Sequence, residues 1–341
     1  MKIAHWLPLT ESELDDVEAL EIQRKFEEEV EVATKELEHP FMVALEYCDW
    51  LPENTKEQKK IKKDVKSCEP YCCFNHQIGL PKKKYEDPIT GEARESKPLN
   101  LYKYEQDTIE NYESVKYYSQ NKVRGSGITE VLAVRHMAYK YGVVNLIKDR
   151  KYLLAAGQSR SVAVGFFKRM VDLLKPYAKI IFDELPNYAN PKYLKFKSGG
   201  EAHALPSEPN APRGLENVGD IILDEAAFWD LQEDEPVLKA FEPFVIKSGA
   251  KIGIFSTPNG QRGFFWNKIW NPEIMTKYFK HLVTLEQVEN VKEPIIDIVE
   301  ARKLEKDDPD LFAQEFGNKF ILPSTSVFGD QFITNEDEAE F

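Results

Sequence analysis

The sequence has no run of about 18 apolar residues, the length a helix needs to cross a bilayer, and no basic-then-apolar leader at its N-terminus. Both absences exclude a membrane-spanning or signal-bearing reading and point to a cytosolic protein, or one acting in a host cytosol. Positive charge is short as well: 45 Lys and Arg stand against 58 Asp and Glu, a formal net charge of −13. That balance argues against a generally basic nucleic-acid binder. The deficit is local, since residues 1–40 hold twelve acidic and four basic residues, a net −8. The remainder is only mildly acidic and leaves room for a local basic channel. With four cysteines in a cytosolic setting, a disulfide framework is not expected. No internal repeat or low-complexity tract appears.

At 341 residues the chain exceeds one average domain, so a core domain with an extension, or two domains, is expected. The first 40 residues read as helix. Thr10 and Glu13 form a capping-box pattern, Leu14, Val17, Leu20 and Ile22 recur at near-helical spacing, and His39-Pro40 ends the element. The lysines at 56, 59, 60, 62, 63 and 66 read as a solvated helix face, or as a phosphate-backbone contact. Cys68, Cys72, Cys73 and His76 offer zinc four ligands, although Cys72 and Cys73 are adjacent where a zinc knuckle separates its pairs; four free thiols are the alternative. Residues 82–100 are polar and turn-rich, a boundary between extension and core.

From residue 100 strands and helices alternate, which predicts a mainly parallel sheet with helices on both faces. Helices are expected over Tyr104–Asn111, Thr129–Tyr141, Val162–Leu174 and Pro236–Phe241. Strands are expected over Val115–Lys122, Lys151–Ala156, Tyr193–Lys197, Asp220–Leu223 and Lys251–Ser256. Three strand ends carry chemistry. Asp220-Ile221-Ile222-Leu223 is a buried strand that stops on Asp224-Glu225, at the edge where open α/β sheets bind ligands. Asp224 suits a Mg²⁺ shared with phosphates, and Glu225 suits orienting a water; capping of the next helix is the plainer alternative. About 95 residues earlier, Lys122-Val123-Arg124-Gly125-Ser126-Gly127-Ile128-Thr129 joins a strand to a helix, where backbone N–H groups favour anions. Thr129 stands where a hydroxyl would join Mg²⁺. Ile128 replaces the usual lysine, so Lys122 or Arg124 must supply the cation. The third strand ends in Ser256-Thr257-Pro258, either a γ-phosphate sensor or a simple turn exit.

These motifs, in this order over roughly residues 100–322, resemble the ATPase domain of the large terminase subunit, the motor that packages DNA into viral capsids. Lys122, Arg124, Gly127 and Thr129 fit that family's variant phosphate loop, Asp224-Glu225-Ala226 its acidic motif, and Ser256-Thr257-Pro258 its coupling motif. Leu101-Tyr102-x-Tyr104-Glu105-Gln106 looks like its adenine-side segment, with Gln106 as the adenine reader. Arg213-Gly214 looks like its arginine before the acidic strand, and Phe312–Phe320 its closing segment.

The resemblance implies an additional-strand, RecA-like P-loop ATPase at residues 96–322, after a largely helical extension at 1–95 and before a tail at 323–341. It implies ATP and Mg²⁺, with Gln106 and the loop 122–129 on the nucleotide, Thr129 and Asp224 on the metal, and Glu225 on the water. Arg124 acts as an arginine finger in cis or Arg213 in trans, with Arg160 and Arg262 as weaker candidates. The expected partners are double-stranded DNA, a viral portal, a small terminase subunit and further copies in a ring, docked on a procapsid in the host cytoplasm. Family members continue into a nuclease domain; none is expected within this chain, which suggests truncation, a split gene or an ATPase-only protein. The rivals are a helicase-like P-loop ATPase, a non-catalytic nucleotide-binding scaffold and a small-molecule kinase.

Overall fold

The computed structural model describes residues 11–36, 84–86, 93–95, 102–143, 149–157, 159–175, 178–197, 199–291 and 294–321. Thr10, the lysines at 56–66, the Cys68–His76 cluster and the tail beyond 321 lie outside the described residues. Helix α1 (Glu11–Glu36) comes first, followed by a separate antiparallel pair, β1 (Lys84–Glu86) and β2 (Ala93–Glu95). Helix α2 (Lys103–Ser114) leads into β3 (Tyr117–Lys122), and β4 (Lys151–Ala156) into α3 (Arg160–Leu174) and the short α4 (Ala178–Ile181). Strands β5 (Tyr193–Lys195), β6 (Glu201–Leu205) and β7 (Val218–Asp224) follow. Next come α5 (Asp234–Lys247), β8 (Lys251–Ser256) and β9 (Phe279–Val283). Helices α6 (Leu285–Glu289), α7 (Ile298–Asp307) and α8 (Pro309–Glu315) close the order.

Seven strands form one sheet in the order β5-β6-β4-β7-β8-β3-β9, parallel throughout except for the antiparallel β5–β6 pair. Parallel strands must be covered on both faces, and two apolar clusters do this. One packs α2, α3 and residues 131–141 against one face; the other packs α5 and Phe264, Phe265 and Ile269 against the opposite face. Every residue of β7 is buried, as its continuous apolar run predicts. Asp220 in its middle is satisfied by the Tyr112 hydroxyl (2.8 Å), the Tyr141 hydroxyl (2.6 Å) and the Lys140 ammonium (2.9 Å). Lys140 and His136 in turn reach Glu113 at 2.7 and 2.8 Å, and Lys251 does so at 2.7 Å. This buried network joins α2, β7, β8 and the helix after the glycine loop at the sheet end remote from Asp224.

Several expectations change in detail. The helix expected over Thr129–Tyr141 is wound wide, as π-helical segments Glu130–His136 and Ala138–Val143, a form that recurs at functional sites. Helix α5 runs past Phe241 to Lys247 and carries Pro243 in its interior. Strands β6 and β9 have no counterpart among the predicted elements. Helix α1 docks through Phe26 and Val30, 2% and 0% exposed, while Val17 and Leu20 are 50% and 70% exposed. Phe26 stacks on Tyr188 with centroids 4.6 Å apart, and Gln23 accepts from the Tyr188 N–H at 2.8 Å. Among the described residues no helix is long and apolar enough to cross a membrane.

Candidate nucleotide site

The strand register builds the site. Asn121 of β3 pairs with Ser256 of β8, and Asp224 of β7 pairs with Phe255, so the carboxyl ends of three adjacent strands finish level. Lys122, Ser256-Thr257 and Asp224-Glu225 thereby stand along one sheet edge, with β8 between the other two strands. The glycine loop leaves β3 at Val123 and turns through Gly125 and Gly127, at φ +73° and +75°. Gly127 needs its missing side chain twice over: its backbone is left-handed, and a Cβ there would lie 2.8 Å from Ile295 Cδ1 and 3.3 Å from Glu105 Oε1. The Val131 N–H then donates to the Gly127 carbonyl at 3.0 Å and the helix begins.

The loop and the acidic strand meet directly. Thr129 Oγ1 donates to Asp224 Oδ1 at 3.0 Å across 95 residues of sequence. The Lys122 ammonium donates to Glu225 Oε1 at 2.8 Å and lies 3.9 Å from Asp224 Oδ1. Burial pulls the Lys122 ammonium down, but Asp224 and Glu225 outweigh it and its pKa is raised. Burial lifts the Asp224 carboxyl to about 6, with the Lys122 ammonium opposing the rise. Glu225 leaves β7 in a left-handed backbone (φ 50°, ψ 39°), uncommon for a residue with a side chain. Its Oε2, with Ser126 Oγ and Thr257 Oγ1, is buried and has no hydrogen-bond partner among the described residues. Such orphans are rare in native proteins and mark where a ligand, ion or water is expected.

The end of β8 and the residues after it clasp the turn after Glu225. Ser256 Oγ accepts from the Ala227 N–H at 3.1 Å, and Asn259 Nδ2 donates to the Ala227 carbonyl at 3.0 Å. The start of α2 touches the loop too: the Tyr104 hydroxyl donates to the Ser126 carbonyl at 3.1 Å, and Glu105 caps α2 by accepting from the Tyr102 N–H at 2.8 Å. Gln106 is half-buried in the first turn of α2.

The arginines are spread out. Arg124 lies in the loop, but its guanidinium pairs with Glu315 of α8, and its N–H donates to the Glu315 carbonyl at 2.8 Å. Arg213 is exposed in the turn before β7 and makes no ion pair among the described residues. Arg160 is exposed at the start of α3, and Arg262 donates to the Asn259 carbonyl at 3.0 Å. Sequence reasoning placed Glu315 in a closing segment, Glu105 in the segment 101–106 and Asn259 in a turn, without seeing the contacts each makes. Only contact across the fold reveals them.

No protein-family model matches the chain, and no curated protein sequence matches it. Among solved structures, the large terminase ATPase domain of Thermus phage P74-26 is 17% identical with a TM-score of 0.45, covering 66% of this chain and 95% of that one. A large terminase from a thermophilic bacteriophage is 11% identical with a TM-score of 0.51, covering 66% of this chain and 54% of that one. The same thermophilic-phage protein solved in complex with ADP gives a TM-score of 0.50 at 11% identity, covering 65% and 54%. The chain shares its fold with the thermophilic-phage large terminase. At these identities the likeness is one of fold, and the chain spans about half the length of the thermophilic-phage large terminase. The shared fold here is the mainly parallel seven-stranded sheet bearing the edge of Lys122, Ser256 and Asp224.

Proposed function

We propose that this chain is the ATPase motor of a viral large terminase, a Mg²⁺-dependent ATP hydrolase that drives double-stranded DNA into a procapsid. The observation that carries the nucleotide reading is the Thr129–Asp224 contact, a hydroxyl from the end of the glycine loop on a buried carboxylate, with Glu225 beside it. An all-oxygen pair of this kind fits Mg²⁺, and the orphaned Glu225 Oε2 and Ser126 Oγ belong to the same two motifs. The thermophilic-phage large terminase of the same fold was solved with ADP, which favours a nucleotide over another anion.

Phosphoryl transfer depends on positioning and on charge stabilisation, and the residues divide accordingly. Thr129 and Asp224 would hold Mg²⁺, which when bound supplies charge neutralisation on the phosphate oxygens. Backbone N–H groups from Gly125 to Thr129 hold the phosphates, Lys122 brings a buried positive charge, and Gln106 reads the adenine. Glu225 orients the attacking water through its carboxylate. Ser256 and Asn259, which grip Ala227, link that turn to β8 and so carry a change at Glu225 into the coupling segment. Arg213, exposed eleven residues before Asp224, is offered to the site of a neighbouring copy in a ring. Portal, small subunit and DNA are the partners this reading requires, in the host cytoplasm.

The test is Glu225→Gln. The variant should bind a fluorescent ATP analogue with wild-type affinity and lose about 100-fold or more in DNA-stimulated turnover, the scale of a lost general base. Wild-type protein that neither binds nor hydrolyses ATP would remove the whole reading.

A further inference from the structure

We propose that Lys122 is a positioning residue for Glu225, holding one oxygen of its carboxylate so that only the other is open to the attacking water. The inference rests on the ATPase reading above and deepens it. In the phosphate-loop role alone, Lys122 would be a cation for the nucleotide. The geometry gives it a second task.

The two residues come from strands that do not touch, β3 and β7, separated by β8. Lys122 is the last residue of β3, its side chain 8% exposed, and its ammonium spans the end of β8 to reach Glu225 Oε1 at 2.8 Å. The other oxygen, Oε2, is buried and has no hydrogen-bond partner among the described residues. The carboxylate is therefore asymmetric, with one oxygen occupied by an ammonium and one available as acceptor. The backbone beneath it is fixed by separate contacts. Glu225 sits in the left-handed region, and the backbone of Ala227, two residues on, is gripped by Ser256 and Asn259. Backbone and side chain are thus anchored from different strands. Arg124, the other cation of the loop, feels the charge of Glu225 but makes its ion pair with Glu315 instead. Asp224 Oδ1 lies farther from the ammonium, at 3.9 Å, and takes the Thr129 hydroxyl instead.

A positioning role and a phosphate-binding role separate in a double-mutant cycle. Lys122→Met, Glu225→Gln and the pair would be compared by kcat for ATP hydrolysis and, separately, by the affinity of a fluorescent ATP analogue in excess chelator, free of Mg²⁺. If Lys122 acts through Glu225, Lys122→Met lowers kcat about 100-fold and changes affinity by less than about threefold, and the double variant is no slower than Glu225→Gln. If Lys122 serves phosphate alone, affinity falls by about tenfold or more and the losses in rate multiply, which overturns the proposal. Should Lys122→Met not fold, Lys122→Arg keeps the charge and displaces it; lowered kcat with retained affinity supports the role, and unchanged kcat overturns it. Wild-type protein without turnover would sink the ATPase reading and this proposal with it. Active wild-type protein with multiplying losses sinks this proposal alone.

Discussion

Glu105 gives the fold a measurable dependence on pH. The residue is 6% exposed, and burial lifts its carboxyl from 4.5 to about 7. The Tyr102 N–H bonded to it and the nearby Arg135 both oppose the rise without cancelling it. A carboxyl whose pKa is higher folded than unfolded binds its proton more tightly in the folded chain. Its contribution is fully present below about pH 4.5 and is lost as pH rises to about 7. Each pH unit in that window is worth about 1.4 kcal/mol, so the loss approaches ~3 kcal/mol by pH 8. Glu105→Gln keeps an acceptor for the Tyr102 N–H and has no charge to bury. Urea unfolding of both proteins at pH 5 and pH 8 isolates the effect, because other titrating groups contribute equally to each. The expected outcome is a variant near wild type at pH 5 and more stable by about 2–3 kcal/mol at pH 8. A difference between the two proteins that is the same at both pH values, within about 0.5 kcal/mol, would refute a buried ionising Glu105.

Two further substitutions probe the loop and the network. Gly127→Ala puts a Cβ on a left-handed backbone 2.8 Å from Ile295 Cδ1; it should destabilise the chain by about 1–2 kcal/mol and weaken nucleotide binding, read by thermal melting and by analogue titration. Lys140→Met leaves Asp220 and Glu113 short of a shared cation, and should cost about 3–5 kcal/mol in urea unfolding.

The parts of this fold that were legible in sequence are those where burial is continuous and the chemistry local. Strand β7 announced itself because all seven residues are buried and the run ends on carboxylates. The glycine loop did so because two left-handed positions between strand and helix demand glycine. Strand β9 did not, since as a sheet edge it is mostly solvated and Phe279-Lys280-His281-Leu282 carries no clean alternation of burial. Asp220 sits inside a buried strand only because residues 80 and 108 positions away neutralise and bind it. The contact face of α1 was not legible for a related reason. The helix is too weakly amphipathic to fix a face by itself, so its contact at Phe26 and Val30 is chosen by Tyr188 and its surroundings. At the site, Asp224 and Thr129 were readable as a pair, whereas Glu315, 191 residues from its partner Arg124, was not.

The last described stretch joins the glycine loop to the turn after Pro258 by a line of fixed length. At one end Glu315 holds Arg124 of the glycine loop; Asn318 then donates to Asn121 and to the Val283 carbonyl at the ends of β3 and β9. At the other end Phe320 lies among Phe265, Trp266 and Trp270, its carbonyl takes the Gln261 amide at 3.1 Å, and Ile321 follows beside Gly260. Six peptide steps span at most about 20 Å, so the tether has little slack. A shift of either the glycine loop or the turn after Pro258 must strain this tether, slide it or detach one end. Residues 315–321 therefore tie the glycine loop and the turn after Pro258 to each other through one short segment.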